Sequence, residues 1–370
     1  MGRLFSHSYG KYIFSPSWRN ERITLPLVGE KIVTLPPPWG RARVGGVQAS
    51  KNTMNQVSII IPAYNAERFL AATLDSVLAQ TFADWECVIV DDGSSDRTGA
   101  IAEEYAQRDG RFRAVHQANG GQAAARNSGI EAGNPECPYI IFLDSDDLWE
   151  PDALEVLTGT LSRHPEAVGA HGMARYIDEN DNPIRIGELE EKLRTRHIVK
   201  GSHLVSIPAK PCTTFEMLAT FGWDCIVTGA IMVRHPILSK VGLFDTKTDG
   251  KTCEDWDMWL RISRYGDFAF IDKVVLNYRQ YGANMCHVSQ DSSRMVQGEL
   301  YVRRKAYNCP DNTPEQREQV AQAFRAAQRY HVGWKLKFCR ESLSRGDFVG
   351  ATKQAAYAAR HFARMIQGRP

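Results

Sequence analysis

The sequence alternates short apolar runs with segments whose apolar residues recur at the spacing of a helix. The runs at 57–61, 86–90 and 139–143 are each bounded by turn residues, which is typical of strands covered on both faces. Between 66 and 80, the apolar residues share one face of a helix. Strands and helices that alternate in this way predict an α/β fold, in which helices flank a mixed, mainly parallel sheet.

The same patterns predict the remaining elements. Further helices are expected at 97–108, 122–132, 151–163 and 254–265, and further strands at 112–116, 167–172, 226–234 and within 267–278. The stretch 173–213 carries many charges and little periodicity, so we expect a loop-rich insertion there. Residues 290–308 and 313–366 are predicted to form helices, with breaks at Gly333 and Gly346-Asp347.

Three regions follow from this pattern. Residues 1–56 lack periodicity and contain Pro36-Pro37-Pro38, so we expect an irregular or disordered basic lead. Met54 lies just before the first strand, and we expect translation of the natural protein to begin near it. Residues 57–289 are predicted to form the main α/β domain, and 290–370 a C-terminal helical region.

Two carboxylates follow the third apolar run. Asp144 and Asp146 are two residues apart, and alternate side chains of an extended segment share a face, so both are expected to point into one site. In open α/β sheets, ligands collect beyond the carboxyl ends of the strands. Mg²⁺ and Mn²⁺ favour one or two protein carboxylates completed by substrate phosphate oxygens. The sequence therefore predicts a diphosphate bound through Mn²⁺ or Mg²⁺, although a solvated acidic turn has the same short motif.

The residues that follow the first two apolar runs are suited to bind a nucleoside. Asp92 comes after the second run, and a carboxylate there can accept hydrogen bonds from a base N–H or from ribose hydroxyls. Pro62, Tyr64 and Asn65 come after the first run, and the Tyr64 ring offers a face on which a base can stack. The structural alternatives are a helix-capping turn after Asp92 and simple packing of Tyr64.

A predicted helix start contributes a further group. Gly121 precedes the Ala-rich helix that carries Arg126. Free N–H groups at a helix start attract phosphate, and Arg126 adds a directional cation, so we expect both residues to contact the substrate. For the glycine, close packing of the helix on the sheet is an equal alternative.

A fourth acidic cluster lies at the start of the helix predicted at 254–265. The helix dipole stabilises Glu254 and Asp255 as anions, and an ionised carboxylate in a dry cleft can take the proton of an attacking hydroxyl. We expect Glu254 to contact the substrate, and capping of the helix is the alternative for both residues. Asp257 and Arg261, four residues apart, are expected to form a structural ion pair.

Taken together and in this order, these motifs resemble the family 2 glycosyltransferases of the GT-A fold. The resemblance covers about 57–289. The matching motifs are Ile60-Ile61-Pro62-Ala63-Tyr64-Asn65, Val90-Asp91-Asp92-Gly93-Ser94, Ala125-Arg126-Asn127, Phe142-Leu143-Asp144-Ser145-Asp146-Asp147, Val241-Gly242-Leu243-Phe244-Asp245, Glu254-Asp255-Trp256-Asp257 and Tyr278-Arg279. Each motif alone is weak, but the ordered set is specific.

The resemblance implies an inverting transferase with a nucleotide-diphosphate-sugar donor, in the first instance a UDP-sugar, and a glycan or lipid-linked acceptor. By the same analogy, Tyr64 and Asp92 hold the nucleoside and Arg126 assists at the base or diphosphate. Asp144 then lies by the ribose and the metal, Asp146 binds the metal, and Asp255 is the catalytic base.

The chain departs from the family pattern in two places. Relatives often carry a His shortly after the Tyr-Arg pair, whereas this chain has Gln280-Tyr281, and His287 is a weak substitute. The Gln-x-x-Arg-Trp motif and the membrane spans of polymerising relatives are missing from the sequence, which favours transfer of a single sugar.

Charge is unevenly distributed along the chain. Residues 1–56 have a net charge of +6, 313–370 of +7 and 57–312 of −11. Basic ends can contact an anionic membrane surface or pair subunits, although solvated faces explain them as well. The eight cysteines show no paired spacing, and no apolar signal sequence opens the chain, so we expect a cytoplasmic protein, at most peripheral at the inner face of the membrane. No nucleic-acid partner is expected.

Two alternatives stay open at this point. A nucleotidyl transferase also combines an α/β sheet with a metal, but it would carry a Gly-rich turn and a basic residue near the first strand. A non-catalytic sugar-nucleotide or glycan-binding module would keep the nucleoside contacts without needing Asp255.

Overall fold

The computed structural model describes residues 56–200, 203–221, 226–248, 253–282 and 292–366. The strands are β1 (Val57–Ala63), β2 (Trp85–Asp91), β3 (Phe112–His116), β4 (Tyr139–Phe142), β5 (Leu148–Trp149), β6 (Gly169–Ile177), β7 (Thr195–Lys200), β8 (His203–Pro208), β9 (Cys212–Thr213), β10 (Ile231–Arg234) and β11 (Phe268–Arg279). The helices are α1 (Leu70–Leu78), α2 (Thr98–Arg108), α3 (Gln122–Ala132), α4 (Ala153–Arg163), α5 (Glu188–Leu193), α6 (Phe215–Phe221), α7 (Leu238–Val241), α8 (Glu254–Ile262), α9 (Ser292–Tyr307), α10 (Pro314–Ser344) and α11 (Phe348–Ile366).

One sheet organises the described part of the main domain. This sheet has nine described strands. Eight of them follow the order β3-β2-β1-β4-β10-β6-β11-β5, and the ninth, β9, pairs with β11. Strands β3, β2, β1 and β4 run parallel, β10 is antiparallel to β4 and β6, and β11 runs parallel to β6. The predicted mixed, mainly parallel sheet flanked by helices is confirmed.

The apolar runs form strands because both faces of the sheet are covered. All seven residues of β1 are buried. Ile59 and Ile61 belong to the core cluster that contains Leu70 and Leu74 of α1. Ile60 belongs to the opposite cluster, with small side chains of α3. This alternation follows from the two-residue period of a strand, and it explains why the run has no polar face.

Most elements before residue 166 begin and end close to their predicted positions. Strand β3 and helix α3 have the predicted bounds, and the other predicted helices of this region are shortened by one to four residues at their ends. The apolar runs predict these bounds well because each is closed by turn residues within a few positions.

The loop-rich insertion predicted for 173–213 is wrong. Strand β6 continues to Ile177, and α5, β7, β8 and β9 occupy much of the remainder. Strands β7 and β8 pair with each other as an antiparallel hairpin outside the main sheet. In β7 the buried Arg196 interrupts the apolar face, so the two-residue period of this strand is hidden in the sequence.

The C-terminal helices largely follow the prediction. The chain breaks between α10 and α11 at 345–347, as expected. The predicted break at Gly333 is wrong, because α10 runs through it; a single glycine weakens a helix without ending it. A capping box at Thr313 and Gln316 opens α10. Over the described residues, no helix combines the length and apolar content that a bilayer span requires.

The predictions for residues 1–55, including the start near Met54, lie outside the described residues.

Candidate active site

Three parallel strands end together at one edge of the sheet. Ala63 at the end of β1 lies beside Asp91 at the end of β2, and Ile60 lies beside Phe142 at the end of β4. The segments that carry Tyr64, Asp92 and Asp144 therefore leave the sheet side by side, as the sequence predicts.

Arg126 connects this edge to the helix start that carries the other acidic cluster. Its Nη2 donates to Asp144 Oδ1 at 2.7 Å, and its Nη1 donates to Glu254 Oε1 at 2.9 Å. The Arg126 side chain is 1% exposed, and its guanidinium lies over the Phe244 ring at 5.4 Å. A cation this deeply buried needs paired anions, so α3, β4 and α8 are tied together at this point.

The charge on Arg126 is fixed by its neighbours. Burial alone would lower the pKa of Arg126, but Asp144, Glu254 and Asp255 raise it above its ordinary value. The same three carboxylates therefore lie within electrostatic reach of one guanidinium, although they come from distant parts of the sequence.

Asp255 is held by two hydrogen bonds at the start of α8. Thr228 Oγ1 donates to Asp255 Oδ2 at 3.0 Å, and the backbone N–H of Trp256 donates to Oδ1 at 2.6 Å. Burial and the neighbouring Glu254 raise the pKa of Asp255 to about 6, against the opposing effect of Arg126. A carboxyl with this pKa is ionised at neutral pH and is a stronger base than a free aspartate.

The second carboxylate of the Asp-Ser-Asp motif occupies a different environment. The Tyr281 hydroxyl donates to Asp146 Oδ2 at 3.1 Å, and the Tyr281 ring packs against Phe69 with centroids 4.8 Å apart. Burial and the charge of Asp144 raise the pKa of Asp146 to about 6. Asp147, directly after it, is buried and accepts the backbone N–H of Arg279 at 2.8 Å.

These carboxylates suit a hard divalent cation. The hydrogen bonds from described residues use Oδ1 of Asp144 and Oδ2 of Asp146, which leaves one oxygen of each for a metal. Two partly buried carboxylates that disfavour each other's charge are stabilised by a cation between them. Among the described residues, no three His, Cys, Asp or Glu side chains gather as a complete metal cage. This donor set fits Mg²⁺ or Mn²⁺ with substrate oxygens in the remaining positions.

Asp92 uses its carboxylate to order a loop of the protein. Its Oδ1 accepts the backbone N–H of Gly120 at 2.8 Å and the Gln117 amide at 2.7 Å, and its Oδ2 accepts the N–H of Gly121 at 2.9 Å. The Gly121 N–H, which is predicted to contact the substrate, therefore has an acceptor within the protein. A ligand that meets Asp92 or Gly121 has to share these groups.

The segment after β1 is partly committed to the fold as well. The Asn65 side-chain oxygen accepts the backbone N–H of Ser95 at 2.9 Å, and the Asn65 N–H donates to Ser94 Oγ at 2.9 Å. Pro62 is buried within β1. Tyr64 is 55% exposed, so its ring is accessible to a stacking partner. The substrate contacts of these three residues stay predictions.

Three side chains at this site were not among the predicted residues. Thr228 holds Asp255, the Gln122 amide donates to Asp144 Oδ1 at 3.0 Å, and Tyr281 holds Asp146. Gln122 adjoins Gly121 at the helix start, and Tyr281 lies where relatives often carry a His, so both positions had a sequence signal. Thr228 had none, because 27 residues separate it from its partner. His287 lies outside the described residues.

Known proteins that are similar to this chain include glycosyltransferases. Residues 58–219 match the model described as glycosyl transferase family 2. An uncharacterized glycosyltransferase of Nostoc sp. is 38% identical over 249 residues, which make up 65% of this chain and 70% of that relative. Chondroitin synthase of Escherichia coli is 28% identical over 264 residues, covering 71% of this chain and 34% of the synthase. The match covers 26%, 35% and 64% of the length of three other curated relatives, so this chain spans only part of them.

A solved structure gives the fold. The crystal structure of S. aureus TarS matches with a TM-score of 0.54 and 16% identity, over 85% of this chain and 54% of that one. At this identity the likeness concerns the fold alone. With the family match, it confirms the predicted GT-A fold.

Proposed function

Because the chain belongs to glycosyl transferase family 2, we propose that it is an inverting, metal-dependent glycosyltransferase. Its donor is a nucleotide-diphosphate sugar, in the first instance a UDP-sugar. Its acceptor is a hydroxyl of a glycan or of a lipid-linked saccharide, and one sugar is transferred in each reaction.

One observation supports this proposal above the others. Arg126 holds Asp144 and Glu254 within hydrogen-bond distance of a single guanidinium, although they lie 18 and 128 residues away from it in the sequence. That contact joins the strand end proposed to bind the donor to the helix start that carries the proposed base. If Asp144 belonged to a solvated acidic turn and Glu254 only capped a helix, no buried cation would be needed between their carboxylates.

The donor is expected to lie along the edge where β1, β2 and β4 end. Tyr64 is available to stack on the base, and Asp144 and Asp146 are the proposed ligands of Mn²⁺ or Mg²⁺. A cation held there with the diphosphate would offset the negative charge that grows on the leaving group. Tyr281 and Gln122 orient the two carboxylates through hydrogen bonds, as partners of metal ligands commonly do.

Asp255 is the proposed catalytic base. Its carboxylate accepts the proton of the acceptor hydroxyl as that oxygen bonds to the anomeric carbon from the face opposite the diphosphate. The bond from the anomeric carbon to the diphosphate breaks, and its electrons leave with the nucleoside diphosphate. Attack from the opposite face inverts the anomeric configuration. Thr228 and the N–H of Trp256 keep the base oriented for this transfer.

Family membership also supports a biological setting. One relative, whose match covers 71% of this chain, is named for the synthesis of a polysaccharide, chondroitin. We therefore propose that the protein acts in surface-polysaccharide or glycoconjugate synthesis. The proposed setting is the cytoplasm, with contact at the inner face of the membrane or between subunits made through the C-terminal helices.

The proposal is tested by nucleotide release from a panel of sugar-nucleotide donors with Mn²⁺ and candidate acceptors. Asp255→Asn should lower turnover by about 100-fold or more, since removal of a general base typically has an effect of that size. The variant should keep its affinity for the donor, because Asp255 is proposed to act on the acceptor.

Asp257→Asn is the matched control on the same helix. Asp257 pairs with Arg261 at 2.9 Å and with Lys305 at 2.8 Å, and it lies two residues along α8 from Asp255. This variant should lower the melting temperature and keep transfer. Tight donor binding without turnover of any acceptor by the unaltered protein would instead favour the non-catalytic binding module.

A further inference from the structure

Four large apolar side chains are exposed on the two helices that flank the turn at 345–347. Leu336 and Leu343 of α10 are 47% and 49% exposed, and Phe348 and Val349 of α11 are 70% and 67% exposed. We call residues 336–353 the hairpin tip. Leu336 and Leu343 are seven residues apart on a continuous helix, so they lie on the same face.

This clustering distinguishes the tip from ordinary surface residues. A single exposed apolar side chain, such as Ile186 at 86%, is common on soluble proteins. The tip instead gathers four of the eight large apolar side chains that are exposed in the described part of the chain. Apolar groups gathered in this way usually mark a contact surface.

The tip is also basic. Lys337, Arg340, Arg345 and Lys353 are exposed there, and Arg340 lies between the two exposed leucines of α10. The two acidic residues of the tip are engaged within it. Glu341 lies 4.0 Å from Lys337, and Asp347 accepts the backbone N–H of Gly350 at 2.8 Å.

We propose that the hairpin tip docks on the surface of a membrane that contains anionic lipids. Phe348, Val349 and the two leucines enter the boundary between headgroups and acyl chains, while the basic side chains reach the lipid phosphates. A deformable lipid surface suits apolar groups at the end of a helical hairpin, and the net positive charge of the tip matches an anionic leaflet. The apolar and the electrostatic contributions act together, because either alone gives only marginal attachment.

Sedimentation with lipid vesicles tests the apolar contribution. The full chain should bind vesicles of phosphatidylcholine with phosphatidylglycerol, and F348S/V349S should lower the partition coefficient by about tenfold or more, since it removes the two most exposed apolar side chains of the tip. I186S is the matched control, because it removes an equally exposed apolar side chain elsewhere, and it should bind like the unaltered protein. Circular dichroism and the melting temperature verify that each variant is folded.

The charge contribution has its own test. R340Q/R345Q should lower binding to the anionic vesicles by about tenfold, and the unaltered chain should bind vesicles of phosphatidylcholine alone more weakly than anionic ones. R317Q, at the opposite end of α10, is the control and should have no such effect.

Two results would overturn the proposal. One is vesicle binding that is absent, or that the tip substitutions leave unchanged. The other is a self-associated protein that F348S/V349S converts to monomer in sedimentation velocity while vesicles recover none of the chain, which would make a second copy the partner of the tip. The vesicle assay reads binding rather than sugar transfer, so neither result depends on the proposed enzymatic activity.

Discussion

At the residue scale, the proposed base is characterised by what surrounds its carboxylate. Burial and Glu254 raise the pKa of Asp255, whereas Arg126, the Trp256 N–H and the Thr228 hydroxyl act in the opposite direction. The balance leaves the pKa at about 6, above the ordinary value of 3.8. The base is therefore protonated over a pH range in which a free aspartate would be ionised.

A pH profile tests this environment directly. Because the base must be ionised to accept a proton, log(kcat/KM) should rise with pH and level off above about 6. Thr228→Val removes a hydrogen bond that favours the charged form, so the midpoint of the rise should move to higher pH. Thr228→Ser keeps the donor and should keep the midpoint. If Thr228→Val lowers the rate equally at all pH values, Thr228 does not act through the ionisation of Asp255.

The sequence predicted which acidic residues meet but not how they are held. Asp144, Asp146, Glu254 and Asp255 follow visible strand ends or a helix start, so their convergence could be expected from topology. The position of Arg126 in an Ala-rich helix marked it as a site residue. The sequence did not indicate that its guanidinium pairs with Asp144 and Glu254. Thr228 could not be placed, because its contact depends on the path of the chain after residue 166, and the position of Tyr281 was marked only by the His that relatives often carry nearby.

At the scale of elements, helix α3 lies very close to the sheet. A Cβ added to Gly129 would lie 2.2 Å from Cγ2 of Ile60, in the buried interface between α3 and β1. Gly333, in the interior of α10, is exposed and has nothing within 4 Å of the corresponding position. Both glycines lie inside helices, but they differ in the space around them.

Alanine at these two positions should have opposite effects on stability. Gly129→Ala should lower the free energy of unfolding by about 1–3 kcal/mol, because the buried interface has to open. Gly333→Ala should raise it by about 0.5–1 kcal/mol, because alanine loses less backbone entropy in a helix. Thermal or denaturant unfolding measures both changes. Equal effects of the two substitutions would contradict the close approach of α3 to β1.

The predictability of elements changes along the chain for a physical reason. Before residue 166, the buried strands β1, β2 and β4 are largely apolar, and turn residues close them. In 173–213, strand β7 has only six residues and includes the buried Arg196, so its period of two is hidden and its pairing with β8 could not be recognised. Gly333 was misread because a helix packed over many turns tolerates one residue of low propensity.

At the scale of the whole molecule, α9 of the C-terminal region packs on α8, the helix that carries the proposed base. Arg303 of α9 donates to the backbone oxygens of Ala219 and Thr220, and its guanidinium lies 5.1 Å from the centroid of the Trp256 ring. Lys305 bridges Asp245 and Asp257 at 2.7 and 2.8 Å. These contacts mean that the helical region helps to support α8. The division of the chain into a catalytic domain at 57–289 and a helical region at 290–370 stays a prediction.

The uneven charge of the chain fits the two proposals at this scale. The acidic middle, at −11, contains the carboxylates proposed to bind a cation and to activate the acceptor. The basic C-terminal part, at +7, contains the hairpin tip proposed to meet anionic lipid. A protein arranged in this way could act on a lipid-linked acceptor while remaining peripheral to the membrane.

The anomalous scattering of Mn²⁺ in crystals grown with a nucleotide-diphosphate sugar is the most direct test of the shared site. The account predicts a manganese peak beside Asp146 and Asp144, the diphosphate on the same ion, and the anomeric carbon facing Asp255. A manganese ion and diphosphate bound away from Asp146, or a sugar whose anomeric carbon cannot be reached from Asp255, would contradict it.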